Sequence, residues 1–173
     1  QVVDINKLTG DSGVRDLLQG SVQLMTGADV PQLTDPQVRL LRTYLDQGGF
    51  LFAVNCCNGA GFHDGMFRLV ERLYPAGEAR LKPLPPEHPV FRSEYLFTEA
   101  ESIKLYGVDF GCRTVIIFTP EDLSCLWNKW MRHDPPGRPV PLKTMIIRAL
   151  KLGVNVVAYA TGREPPNKLD QQE

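Results

Sequence analysis

A run of apolar residues without alternation, Phe50-Leu51-Phe52-Ala53-Val54, stands between Gly48-Gly49 and Asn55-Cys56-Cys57-Asn58-Gly59-Ala60-Gly61. Apolar side chains on both sides of an extended segment mark a strand covered on both faces. Such a strand belongs in a sheet packed between helices. A helix pattern follows from residue 62 to residue 73, where Met66, Phe67, Leu69, Val70 and Leu73 recur at helical spacing. Strand–turn–helix junctions of this kind are where α/β proteins present a nucleophile or bind an anion. Small residues let the chain turn sharply there, at the strand's carboxyl end.

The flanking segments support the same layering. Residues 21–27 read as a strand, after a short helical piece near residues 14–18. Asp35, with Pro36 behind it, caps a helix whose stripe is Val38, Leu41 and Leu45 and which Gly48 closes. Residues 79–84 read as a short strand, and Pro83, Pro85, Pro86 and Pro89 then stiffen the segment around His88. Residues 103–108 and 114–118 read as strands joined as a hairpin through Asp109-Phe110-Gly111. Pro120-Glu121-Asp122 opens a helical turn toward Trp127. Leu142, Met145, Ile146, Ala149 and Leu150 give a helix closed by Gly153, and residues 154–159 read as a final buried strand. Alternating strands and helices predict an α/β layered fold with a mainly parallel sheet and one antiparallel hairpin.

A chain of 173 residues with 43% apolar content can bury a real core as one domain. Its 19 basic and 20 acidic residues nearly cancel and form no basic cluster, which argues against a nucleic-acid surface. The longest uninterrupted apolar runs, residues 50–54 and 156–160, are far short of the roughly 20 residues that a membrane span needs. A soluble protein is expected, with the compartment open between cytoplasm and periplasm. The four cysteines, Cys56, Cys57, Cys112 and Cys125, read as free thiols. A disulfide between adjacent Cys56 and Cys57 would be strained. No cofactor is expected.

Residues 40–61 resemble the class I glutamine amidotransferase-like superfamily. There, a helix, a double glycine and a buried strand lead to a Cys-x-Gly nucleophile elbow, and Cys57-Asn58-Gly59 takes that place here. The elbow usually has glycine two residues before the cysteine, where this chain has Asn55. Residues 43–51, His88-Pro89-Val90-Phe91, Gly111-Cys112-Arg113-Thr114, residues 122–127 and residues 153–164 are together similar to an uncharacterised bacterial domain-of-unknown-function family inside that superfamily. The His-Pro-hydrophobic segment also resembles trehalose-utilisation-type relatives, which generally lack the glutaminase machinery. The resemblance implies a flavodoxin-like three-layer sandwich over residues 1–161, with a polar tail over 162–173. It implies that a first strand–helix unit precedes Gln1, as in a module of a longer chain. The family carries no established activity over, and the leading reading of the residues is a divergent, non-glutaminase domain that binds a small molecule or a protein partner at the carboxyl ends of the strands.

Several chemistries compete at the turn. Cys57 can act as a nucleophile if a helix N-terminus or a histidine lowers its pKa, with His88, or less readily His63, as base. Amides of residues 58–61 would then supply an oxyanion hole. The superfamily's glutaminases use a late His-x-Glu pair. Here His88 precedes Pro89-Val90 and His133 precedes Asp134-Pro135, so neither reproduces it. The competing reading is a cysteine-dependent hydrolase or amidotransferase; a third is a structural interaction module. Two small buried cysteines that merely pack at the strand end are favoured over catalysis as the account of the turn. Gly59, Gly61 and neighbouring amides can cradle a phosphate, or the glycines simply permit a tight turn. Cys56, Cys57, His63, Asp64 and His88 carry metal-ligand chemistry. Adjacent cysteines on a strand point to opposite faces, however, so no metal is expected. Asn55, Asn58, Gly59, Gly61, His63 and Arg113 remain the candidate ligand-binding set. Arg113 binds a ligand carboxylate or pairs with Asp109 or Glu121. Trp127 reads as a core anchor, and Trp130 as the surface aromatic.

Overall fold

In the computed structural model, the run without alternation is the second of five strands in one sheet. The structure describes residues 2–57, 59–98, 103–132 and 135–162; all of the expected tail over 162–173 except Gly162, together with Asn58 and the pair His133-Asp134, lies outside the described residues. The strands are β1 (Gln23–Gly27), β2 (Leu51–Asn55), β3 (Leu81–Pro83), β4 (Tyr106–Phe110) and β5 (Arg113–Thr119). The helices are α1 (Gly10–Leu18), α2 (Asp35–Asp46), α3 (Ala60–Leu73), α4 (Leu123–Arg132) and α5 (Val140–Ala160). The sheet order is β1-β2-β5-β4-β3.

All five residues of β2 are buried, as the missing alternation predicts. Leu51 and Ala53 enter a core under α1, α2 and α3, together with Leu41, Tyr44, Met66 and Phe118. Phe52 and Val54 enter a second core with Val90, Leu123, Ala149 and Val156, under α4, α5 and the turn of 3-10 helix Pro89–Arg92. The sheet therefore carries helices on both faces, the arrangement of a three-layer α/β domain.

The sheet is mixed, which corrects the mainly parallel expectation. β1, β2 and β5 pair in parallel, but β4 pairs antiparallel with both β5 and β3. One cause is the expected hairpin. β4 and β5 are joined by Gly111-Cys112, with Gly111 at φ 65°, and so short a link can only reverse the chain. The other cause is that residues 154–159 are not a strand. They continue α5, whose buried residues Ile146, Ala149, Leu152, Asn155 and Val156 follow helical spacing, while Val154 and Val157 face outward. Gly153 does not end this helix. Its bare Cα lets the Trp127 ring approach, and a Cβ there would sit 3.3 Å from that ring. Trp127 is the core anchor expected: its indole N–H donates to the Ala149 carbonyl at 2.9 Å. Trp130 is exposed, as expected.

Tyr44 explains the double glycine before β2. Its hydroxyl accepts from the Phe50 N–H and donates to the Phe50 carbonyl, both at 2.9 Å. Any side chain at residue 49 would strike the Tyr44 ring, because a Cβ would lie 2.3 Å from it. Gly48, at φ 102°, turns the chain out of α2. At the other end, α2 starts one residue from the expected cap: Thr34 is the N-cap, and its N–H donates to Gln37 Oε1 at 2.8 Å. No helix among the described residues is long and apolar enough to cross a membrane.

Candidate functional site

The carboxyl ends of β2 and β5 lie side by side, because Val54 pairs with Thr119. β2 delivers Cys56 and Cys57 to that edge, and β5 delivers Asp122 and Cys125. Asp122 caps α4. Its Oδ1 accepts from the Cys125 N–H at 3.0 Å and from the Ser124 hydroxyl at 3.3 Å. Its Oδ2 accepts from the Cys57 N–H at 2.9 Å. One carboxylate thus ties the two strand ends together.

Cys57 has φ 56°, and among the described residues it is the sole non-glycine at positive φ. That conformation costs an L-residue about 1–2 kcal/mol. It also changes where the thiols point. β2 ends at Asn55, so the two cysteines lie in the turn rather than on a strand. Instead of facing opposite ways, they stand with their Sγ atoms 3.1 Å apart. Cys125 Sγ lies 3.9 Å from each. The three sulfurs and an Asp122 oxygen all fall within 4.8 Å of one another.

Protons are unevenly held in this cluster. The hydrogen bond from Cys57, then that from Ser124, lowers the Cys56 thiol below its ordinary pKa. The same bond to Cys56 raises Cys57. Cys125 is pushed up to about 12, chiefly by its hydrogen bond to the Asp122 carboxylate and then by burial. Burial pushes Asp122 upward too. The amide of Cys125, its thiol and the amide of Cys57 outweigh that and hold the carboxylate below its ordinary value. Of the two adjacent thiols, Cys56 is therefore the more acidic.

His88 is not brought to the thiols. Its Nε2 bonds Thr114 Oγ1 at 3.0 Å, near the start of β5, and its ring packs on Tyr159. Cys57 sits beyond the strand's other end. Five residues of strand from Thr114 to Thr119 span about 16 Å. Both ring nitrogens are engaged. The Thr114 hydroxyl donates to Asp109, so it accepts from Nε2–H; Nδ1 accepts the Val90 N–H at 3.2 Å. The ring is thereby fixed as one neutral tautomer, and burial first of all lowers its pKa. Arg113 lies at the same far end and pairs with neither expected carboxylate. It donates to the Gly49 carbonyl at 2.7 Å, while Glu121 takes Arg148 at 3.0 Å.

The other candidates stay near the turn. Asn55 is buried, and its amide donates to the Pro120 carbonyl at 3.1 Å. Its Oδ1 has no partner among the described residues. Gly59 and Gly61 serve close approach: a Cβ would meet the Ala28 carbonyl at 2.2 Å or Asp29 Oδ1 at 1.7 Å. The Gly59 N–H closes the turn onto the Cys56 carbonyl at 3.1 Å, and the Cys57 N–H serves Asp122, so neither is available to an oxyanion. His63 packs on Phe67, Tyr106 and Phe118 and bonds Asp64 at 3.1 Å. Asn58 lies outside the described residues.

Asp122 and Cys125 are the site residues that sequence reasoning missed. The signal was present: an Asp-x-x-Cys start to a helix, directly after a buried strand. An aspartate there caps the helix and places the third residue's side chain beside its own carboxylate. Residues 4–161 match the family described as Domain of unknown function (DUF4159). No curated protein gives a significant match to the chain.

Proposed function

The chain belongs to this domain-of-unknown-function family, and from that premise we propose that it is a thiol-centred binding module rather than a glutaminase. The carrying observation is that Cys56, Cys57, Cys125 and Asp122 converge at the carboxyl ends of β2 and β5. Ligands of open α/β sheets bind at that edge. The class I glutamine amidotransferase-like likeness belongs to this reading. Helix α2, the double glycine, β2 and a positive-φ cysteine before α3 make a strand–turn–helix elbow of the kind that presents a side chain to a ligand. What surrounds the elbow differs from catalytic machinery. A nucleophile needs a base within hydrogen-bond reach, about 2.6–3.2 Å, and among the described residues the polar side chains bonded to Cys57 are two thiols and a carboxylate. The flavodoxin-like relationship and the binding of a small ligand are part of the same proposal.

Iodoacetamide labelling mapped by peptide mass spectrometry, alongside a glutamine hydrolysis assay, tests this. Labelling at Cys56 and Cys57 with a rate unchanged in His88→Ala, and no ammonia from glutamine, is the expected result. Labelling of Cys57 that depends on His88, or glutamine turnover lost in Cys57→Ser, would restore the hydrolase reading.

A further inference from the structure

We propose that Cys56, Cys57, Cys125 and Asp122 form a site for one thiophilic divalent cation of the zinc class, a specific ligand for the thiol-centred module inferred above and resting on that reading. The geometry is close to what such an ion needs. A tetrahedral zinc with Zn–S bonds of about 2.3 Å sets its sulfurs about 3.8 Å apart. Two of the three sulfur separations, Cys56–Cys125 and Cys57–Cys125, are 3.9 Å. The third, Cys56–Cys57, is 3.1 Å and opens by about 0.7 Å through side-chain rotation at two partly exposed residues. An Asp122 oxygen completes four donors within 4.8 Å. A carboxylate has about four lone-pair sites, so Oδ2 can keep the Cys57 amide and still face a metal.

The donor set selects the ion. Three thiolates favour zinc-like soft or borderline cations, and hard magnesium or calcium prefer oxygen. The protein's own hydrogen bonds hold the framework. Asp122 is fixed by the two amides and the Ser124 hydroxyl, which is how outer-shell partners orient a metal-binding carboxylate. The left-handed backbone at Cys57 gains a reason, because it turns the second thiol onto the same side as the first. The chemistry balances without an oxidant. Three S–H bonds break, three metal–sulfur bonds form, and three protons leave to solvent. The ion would clamp the β2–α3 turn to the start of α4.

The test uses the full chain, kept reduced, titrated with Zn2+ against a chromophoric chelator and separately with Co2+. One equivalent is expected to bind, and Co2+ should give a thiolate-to-metal charge-transfer band. Cys56→Ser and Cys125→Ser should each weaken binding by more than the roughly 10–100-fold that even outer-shell partners cost. Cys112→Ser, at an exposed thiol on the β4–β5 turn, should bind as the wild type does. Circular dichroism of each variant checks that it is folded. Absence of binding, or binding unchanged by Cys125→Ser, overturns the proposal. In that case, capture of phenylarsine oxide by Cys56 and Cys57 would leave the thiol-centred reading standing, while failure of any thiol reagent to react would overturn both.

Discussion

Replacing Cys57 separates the cost of its backbone from the use of its thiol. Cys57→Gly removes a left-handed strain of about 1–2 kcal/mol. Glycine's greater freedom in the unfolded chain returns about 0.5–1 kcal/mol of that. The net expectation is a gain of about 0–1.5 kcal/mol, centred near 0.75, or some 2–3 °C in Tm at that midpoint for a chain of this size. Cys57→Ala keeps the strain and deletes only an exposed sulfur, so it should stay within about 0.5 kcal/mol of wild type. Cys57→Val adds a branched Cβ at positive φ and should lose about 1 kcal/mol or more. Urea unfolding followed by circular dichroism, with chelator and reductant present and equal m-values, measures the order Gly above Ala and wild type, above Val. A glycine variant no more stable than the alanine one would refute the strain argument. The stabilised glycine variant should also bind zinc less tightly, because stability and site pull in opposite directions at this residue.

Four further outcomes follow from the same structure. Tyr44→Phe should cost about 1–3 kcal/mol, because the buried Phe50 N–H loses its partner while the Phe50 carbonyl keeps Gln23; chemical denaturation measures it. Asn155→Ala should cost about 3 kcal/mol by the same assay. That fully buried side chain accepts from the Glu94 and Tyr95 amides and donates to the Tyr95 carbonyl. Gly59→Ala should cost about 1–3 kcal/mol, because its Cβ drives into the Ala28 backbone, and should raise amide exchange in the β1–α2 loop. His88 gives a pH dependence: burial, with Arg92 assisting and Asp109 opposing, sets its folded pKa below the unfolded value of about 6.5. The unfolded chain therefore binds the proton first. Stability should be full above pH 6.5 and fall as pH drops through 6.5 toward the folded pKa, and His88→Gln should flatten that slope between pH 7.5 and 5.5.

Local pattern carried much of the fold. The unbroken run at 50–54 marked a strand covered on both faces, and Gly111 marked the β4–β5 hairpin. Residues 154–159 misled because Val154, Val156 and Val157 favour strands and Gly153 looks like a helix stop. Packing overrode both signals. The stripe of Ile146, Ala149, Leu152 and Val156 buries at helical spacing, and the glycine accommodates Trp127. Propensity is a weak prior when a tertiary neighbour decides the burial.

The sequence by itself determined that a covered strand would run through a glycine turn into a helix, carrying two thiols. Burial and turning are written in near neighbours, so they are legible residue by residue. Only the tertiary structure decided what those thiols would meet. Strand order sets β5 beside β2, which brings Asp122 and Cys125 to the turn from 65 or more residues away and leaves His88 and Arg113 at the other end of β5. Pairing between distant strands is a choice among alternatives of similar local pattern, so no single segment encodes it. The left-handed turn at Cys57, held by the Asp122 carboxylate, then gathers three sulfurs on one side.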